Sequence, residues 1–576
     1  MSSNLLKPRF YIPVFLFIII TGIYTYSLCP TVYLIDSGEL GAVSYTLGIA
    51  HPTGYPLYTL ISYFVAHFPG EPIRNLNFLS ALFSAVAAVF LYFTTYRILE
   101  KELLSITIAS LYAFSLVIWR TSITNEVYPL TGLFCIVLLY SLYNLKDSRT
   151  YYALMFVAGL SLTNHIIIFS LVIPVILYTL IVYKPTAKKI IAGLIFIAIG
   201  LSIYLYLLFR TLGGAELAWG NTCNIQRLVW HITGRQYQVW MFSLSSREIL
   251  NNIQQGITLI ARNFLYLFVI FMFAGIYWLF KNDRKKLFLF LGIFLLNFLY
   301  TVNYAIPDIE SYYIPGFIGL LFVSIYGLKM WQKHMKGIIT IPLSLIIPII
   351  NYSDCTLRNN TFGLDYSLSH FVQVPENSLL VCSYWDIYSP TIYLRKVKHF
   401  RNDVAIIDKE LLRRTWYIKY LRNEYPDLFF LAEKQINDYL VELYKFEYGR
   451  PYDPQVIQEK YIKMLEKFVD AKESTGAFFA LPFPDYDLNG VKPHYLRIPF
   501  GPDYLITQDR KDMPFDFSAL QIDLPDFVND QRMKYNIDFL KKMVINNINY
   551  LYKTGDSNQV ENVQKWLRRL TLKKER

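Results

Sequence analysis

From residue 11 to residue 352 the sequence is a succession of apolar runs separated by short stretches rich in Lys and Arg. Apolar runs of this length fold as spanning helices, because a backbone in hydrocarbon must satisfy its own hydrogen bonds. The runs at 11–28, 76–98, 103–119, 127–145, 190–209, 258–280, 287–304, 313–330 and 338–352 read as single crossings. The stretch 151–183 is different. Basic clusters flank it at both ends, Lys146/Arg149 and Lys184/Lys188/Lys189, and same-side flanks require an even number of crossings. It therefore forms a hairpin of two short helices, or a re-entrant pair, bent near Thr163-Asn164-His165. The total is about 11 transmembrane helices. Residues 56–68 make only ~20 Å of helix, short of the ~30 Å hydrocarbon core, and read as an interfacial segment.

Charge sets the orientation. The inner segments carry Lys7, Arg9, Arg97, Lys101, Lys146, Arg149, Lys184, Lys188, Lys189, Lys281, Arg284, Lys285, Lys286, Lys333 and Lys336. The much longer outer loops before residue 353 hold only Arg74, Arg120, Arg210, Arg227, Arg235 and Arg247. The positive-inside rule then puts the N-terminus inside and the C-terminal portion outside. The net charge of +12 is read as this topology signal, not as a nucleic-acid footprint. The first run is long and lacks a small-residue cleavage site, so it reads as an anchor.

Only 17% of the residues are charged, against roughly 25% in soluble domains, and the apolar excess ends near residue 352. A domain boundary follows: 1–352 transmembrane, 353–576 soluble and on the outer side. Strand-like runs at Ser378–Ser383 and Asp403–Ile407 alternate with helical stretches, which predicts an α/β part over about 353–425 and a mostly helical remainder. Residues 453–472 read as helix, and 533–570 as a helical hairpin broken near Thr554-Gly555-Asp556. Asp386 lies at a strand end, where ligands often sit, although a lone Asp there is commonly a cap. Cys29, Cys135, Cys223, Cys355 and Cys382 have no zinc spacing, and Cys355 and Cys382 fall in one outer compartment without a pairing being set. No phosphate loop, metal-ligand motif or nucleophile elbow is present in the sequence.

The chemistry-bearing stretch is 30–58, PTVYLIDSGELGAVSYTLGIAHPTGYPLY, which puts Asp36 and Glu39 just after the first span. A helix starting at Asp36 or Ser37 places both acids on one face. His51 follows beside the Pro52–Gly54–Pro56 turn. Two readings stand together. Asp36 as N-cap with Glu39 at N3 is a capping-box spacing that merely starts a helix. The same acids, costly beside hydrocarbon, also suit proton transfer. Glu126, Asp308 and Glu310 reach the same outer side from separate loops, and that convergence points to a site. His165 is either a hydrogen-bonded turn histidine or part of that site.

Residues 30–58 resemble the signature of the transmembrane-protein-260-like family, glycosyltransferase family 117, in which an acid-containing loop leads into a helix and a His-Pro-x-Gly-x-Pro turn. Further blocks agree: Asn125-Glu126-Val127-Tyr128, Gly159–His165, Trp219-Gly220-Asn221-Thr222, Thr233–Tyr237, Asn351-Tyr352 and Pro375–Tyr417. Ser37 stands where many bacterial members carry Cys. The resemblance implies a glycosyltransferase C superfamily (GT-C) fold and transfer of a sugar, mannose or another hexose, from a polyprenyl-phosphate carrier. The acceptor it implies is a Ser/Thr hydroxyl of an exported protein.

Carried over, Asp36 is the general base and Glu39 its assistant. Arg210, then Arg120, would offset charge on the leaving phosphate, although either Arg also suits a topology anchor. His51, Glu126 and His165 join the substrate-binding set, and Trp219, Asn221 and Thr222 line the sugar pocket. The lipid-linked sugar is a co-substrate, and no cofactor, metal or nucleic acid is expected. The implied place is a bacterial inner membrane with a periplasmic site, or the endoplasmic reticulum with a lumenal one. Transfer to a glycan or lipid acceptor, a transporter and a non-enzymatic assembly protein are the alternatives. A transporter would want ionisable residues at mid-membrane and two related halves, and the sequence offers neither.

Overall fold

The computed structural model describes residues 11–266, 268–332, 340–483, 485–509, 515–525, 530–554 and 557–571. Lys7, Arg9, Lys333, Lys336 and the break expected at Gly555-Asp556 lie outside the described residues. The chain divides into two compact units. The first comprises Met1–Cys29, Ile49–Gly214 and Thr222–Arg358; the second comprises Pro30–Gly48, Ala215–Asn221 and Asn359–Arg576. Two short stretches of the N-terminal half thus fold with the C-terminal residues.

The first unit is helical, and each apolar run has a helix. Among the described residues, five helices are long and apolar enough to cross a membrane, or six if Glu102–Ala113 and Leu116–Ser122, bent by 64°, form one span. Tyr11–Ser27, Pro56–Ala66, Tyr128–Tyr143 and Val269–Asn282 are shorter apolar helices. Phe209, Phe273 and Phe288 point outward with 65%, 69% and 75% of their surface exposed. Rings presented in this way are solvated by lipid, and the chain is a multi-pass membrane protein.

Residues 148–183 form the expected hairpin, with helices at Ser148–Leu162 and Phe169–Tyr183. Its polar bend at Thr163-Asn164-His165 is buried, and Asn164 donates from Nδ2 to the Val127 carbonyl (3.0 Å) and to Thr131 Oγ1 (2.8 Å). The single crossing expected over 258–280 is corrected. Ser246–Asn263 ends one helix and Val269–Asn282 begins another, with Leu265 and Tyr266 at φ 50° and 54° between them. Asn263 marks the break, because its Oδ1 accepts from the Val117 amide at 3.2 Å. The second of these helices packs tightly against Ile314–Trp331. A Cβ at Gly275 would strike the Val323 carbonyl, and one at Gly327 the Phe271 carbonyl, so only glycine permits this approach.

The second unit is built on a five-stranded sheet, β1 (Leu379–Cys382), β2 (Ala405–Asp408), β3 (Ala477–Ala480), β4 (Leu496–Phe500) and β5 (Asp503–Thr507), in the order β2-β1-β3-β5-β4. β1 pairs in parallel with β2 and with β3, while β5 is antiparallel to both its neighbours. The expectation of a mostly helical remainder after about 425 is corrected, since the sheet continues to Thr507. The late strands have only four or five residues and follow a long helical crossover that ends with Pro454–Ala471, so no local period marks them. Gln531–Thr554 and Ser557–Thr571 are the expected last helices. Asn547 ties the first of them to the β4–β5 turn, donating to the Gly501 carbonyl at 2.8 Å and accepting from its amide at 3.2 Å.

Candidate active site

The acid helix runs from Ser37 to Thr46, as the spacing predicts, but it does not start as a capping box. Asp36 has helical backbone angles, φ −87° and ψ −8°, and its side chain caps no amide. The amide it would have capped, that of Glu39, donates instead to Ser389 Oγ at 3.0 Å. Ser389 lies on the Trp385–Lys398 helix, which packs so closely that a Cβ on Gly38 would strike the Ser389 carbonyl.

The Asp36 carboxylate accepts at Oδ1 from the Trp385 indole N–H at 2.7 Å. Carboxylate oxygens of Asp36 and Glu39 lie within 4.8 Å of each other, and Glu39 is buried. Two acids this close can divide proton transfer and positioning between them, or flank a cation. Ile35, just before them, sits at φ 61°, an unfavourable angle for a β-branched residue. Its amide is held by Asp386 Oδ1 at 2.9 Å. Asp386 is itself buried, and it accepts from Arg532 Nε and Asn536 Nδ2, each at 2.8 Å.

The placement of Trp385 follows from the sheet. The chain leaves β1 for β2 on one side and later returns to β3 on the other, so β1 is a switch point, where α/β sheets open a crevice at the strand ends. Trp385 and Asp386 follow the carboxyl end of β1 directly. Trp219 meets them there. Its ring lies 5.7 Å from Trp385, edge to face, and 4.6 Å from Trp416. Asn221 adds an amide oxygen 3.4 Å from Lys419 Nζ. The second unit therefore joins Asp36, Glu39, Trp219 and Asn221 from the sequence-derived set.

In the first unit His51 and His165 meet through one tyrosine. His51 Nε2 is 2.8 Å from Tyr55 Oη, and the Tyr55 ring stacks on His165 at 5.5 Å and 9°. Tyr128 and Tyr312 complete the wall around His165, at 5.3 and 5.2 Å. His165 Nδ1 accepts from the Ile167 amide, which leaves the proton of the neutral ring on Nε2. Glu126, half-buried beside this wall, is fixed through its main chain by Ser80. Tyr237 approaches His51 edge-on at 6.3 Å. Burial holds the neighbouring His231 down to about 3, so it stays neutral and donates from Nε2 to the Ala50 carbonyl at 3.0 Å.

The two candidate arginines differ. Arg120 donates from Nε to the Asp354 carbonyl (3.1 Å) and pairs with Glu310 (3.4 Å), while Arg262 pairs with the Asp354 carboxylate (3.3 Å). Arg210 ends an apolar helix and bonds the side chain of Tyr206 one turn earlier. Thr222 is fully buried, with Oγ1 2.7 Å from Thr211 Oγ1 and donating to the Leu207 carbonyl at 2.8 Å, so it pins its loop to the helix that carries Arg210. All five cysteines are free.

Sequence reasoning missed Trp385, Ser389, Arg532, Tyr55 and Tyr312 as partners of the site. The one available signal was the strand end: Trp385-Asp386 follows a strand-like run by three residues. The others depend on long-range packing that no local pattern encodes.

Residues 36–190 match the family model for the Protein O-mannosyl-transferase TMEM260 N-terminal domain. The chain is 27% identical over 443 residues to Protein O-mannosyl-transferase TMEM260 of Mus musculus, covering 69% of this chain and 62% of that protein. It is 25% identical over 476 residues to Protein O-mannosyl-transferase tmem260 of Dictyostelium discoideum, covering 70% of this chain and 58% of that protein. The match thus spans less than two thirds of either relative's length. Among solved structures, ArnT from Cupriavidus metallidurans bound to undecaprenyl phosphate superposes with a TM-score of 0.45 at 10% identity, covering 86% of this chain and 97% of that one. The apo state of the same protein gives 0.42 at 9% identity over the same shares. Both likenesses are too loose to assign a fold. The matched N-terminal domain, which begins at Asp36 itself, and the two curated relatives make this chain a TMEM260-like protein.

Proposed function

We propose that this chain is a membrane glycosyltransferase of the GT-C superfamily that moves a hexose, mannose in the first instance, from a polyprenyl-phosphate carrier to Ser/Thr hydroxyls of an exported protein. The relatives' printed name, protein O-mannosyl-transferase, supports the reaction class. The observation that carries the reading is the Asp36–Glu39 pair, within 4.8 Å, with Asp36 held by an indole rather than used as a cap. Asp36 takes the acceptor hydroxyl's proton as the oxygen attacks the anomeric carbon. The bond from that carbon to the phosphate oxygen breaks with inversion, and its electron pair leaves on the polyprenyl phosphate. A positioned carboxylate contributes ~10²–10⁴-fold to such a step. Glu39 orients the acceptor or the sugar.

Arg210 is the better partner for the leaving phosphate, because Arg120 is already engaged by Glu310. Trp219 and Asn221 line the sugar's side, and His51, Glu126 and His165 belong to the donor's polar surroundings. The eleven crossings, the outer placement of the site and of the soluble domain from about 353, and a periplasmic or lumenal setting belong to the same reading. The test is transfer by the purified chain in detergent, from labelled polyprenyl-phosphate mannose to a Ser/Thr peptide. Product on the hydroxyl, with inverted anomeric configuration, is expected. Donor consumption without a glycopeptide, and product on a glycan or lipid instead, would replace the acceptor; no turnover of any donor would remove the enzyme reading.

A further inference from the structure

The C-terminal residues do more than present a soluble surface. We infer that Trp385 is the positioning residue for Asp36, an inference that rests on the reading of Asp36 as the base. The indole N–H reaches Asp36 Oδ1 at 2.7 Å. An indole is a donor only, so it fixes one carboxylate oxygen without competing for the acceptor's proton. A donated N–H also favours the ionised carboxylate, which is the form a base needs.

Trp385 is itself immobilised on both sides. Trp219 meets its ring edge to face at 5.7 Å, and Tyr388 packs on it at 5.9 Å. The next residue, Asp386, is clamped at 2.8 Å by Arg532, and it holds the Ile35 amide at 2.9 Å. Trp385 and Asp386 thus grip the acid loop at two points, the Asp36 carboxylate and the backbone just before it. Locking a reactive group through packed neighbours of this kind is what keeps it within tenths of an ångström of the geometry a proton transfer needs.

The test uses the full chain in detergent with the transfer assay described above. Trp385→Phe keeps the ring and removes the N–H. Its kcat should fall about 10-fold, the worth of a hydrogen bond to a charged group, with KM for donor and acceptor within about 2-fold and an unchanged melting temperature. Trp385→His, which restores an N–H on a smaller ring, should recover part of that loss. Unchanged kcat in Trp385→Phe, or a loss carried by KM alone, overturns the inference.

A second readout does not depend on turnover. In isotope-labelled protein the Trp385 indole N–H resonance, recognised by its absence from Trp385→Phe, should move in Asp36→Ala; a stationary resonance overturns the inference as well. An inactive Asp36→Asn beside a fully active Trp385→Phe removes the positioning role alone. A fully active Asp36→Asn removes the base, and with it the residue that positions it.

Discussion

Helix starts at Ser148 and Ser246 and the helix start at Ser37 carry polar residues at the same spacing, yet they are built differently. Asp147 has extended angles and accepts from the Thr150 amide at 2.9 Å, closing a capping box that holds its carboxyl below the usual range. Ser245 does the same with Glu248, whose carboxylate accepts from the Ser245 amide at 2.8 Å. Asp408 is a third local acceptor, taking the Leu411 amide at 2.9 Å. At Asp36 the backbone is already helical, the helix's third amide is satisfied by Ser389, and the carboxylate is turned to Trp385. A cap is a local device that three residues complete by themselves. Supplying the cap from a distant helix and an indole to the acid is consistent with selection for the acid's reactivity rather than for helix initiation.

Four substitutions sharpen or break this contrast. Arg532→Ala leaves the Asp386 carboxylate buried beside Ile35 without its guanidinium, so thermal or denaturant unfolding should show a loss of about 3–5 kcal/mol. A loss below about 1 kcal/mol would mean that the clamp behind the acid loop is not structural.

Asp408 gives a pH test of the ordinary caps. Burial pushes its carboxyl up to about 7, so the folded chain binds a proton that the unfolded chain has already released. Its contribution to stability is therefore fully present below about 4 and is lost as pH rises through about 7. Asp408→Asn should flatten that decline, by an amount on the order of a few kcal/mol across the window, in melting curves taken from pH 4 to pH 8. An unchanged slope would show that Asp408 does not titrate there.

Much of this was legible in the sequence, for reasons that also explain the gaps. Basic flanks on the same side forced the 151–183 hairpin, and the polar Thr163-Asn164-His165 sits at its bend. The helix start at Ser37, the first two strands and the last two helices follow from local pattern. The folding of Pro30–Gly48 and Ala215–Asn221 with the C-terminal residues does not, because it depends on contacts between residues hundreds of positions apart. Glu39 meeting Ser389 is such a contact, and so is Asp36 meeting Trp385. The capping-box spacing at Asp36 was correctly seen but locally ambiguous, and only the backbone angles decide it. Arg120 read as a candidate cation because its partner Glu310 comes from a distant loop.

Glu39→Gln tests whether the two acids are equivalent. It should lower transfer by about 10-fold, less than loss of the base, at unchanged folding. A loss equal to that of the Asp36 variant would mean that the pair acts as one unit. Ser245→Ala should have the smallest effect, about 1 kcal/mol of stability with the transfer rate per folded molecule unchanged. A drop in that rate would place the second capping box in the site and erase the distinction between the two kinds of helix start.

The central claim is that Asp36 is a base and not a cap, and Asp36→Asn separates the two most directly. Asn is about as good an N-cap as Asp and can still accept the Trp385 indole proton, but it cannot take a proton from a hydroxyl. The initial rate of hexose transfer from the polyprenyl-phosphate donor to a Ser/Thr peptide, normalised to folded protein, should fall by at least ~10² with melting temperature and donor binding retained. A rate within a few-fold of the unsubstituted chain, at equal folding, would contradict the account and move the base to Glu39 or Glu126.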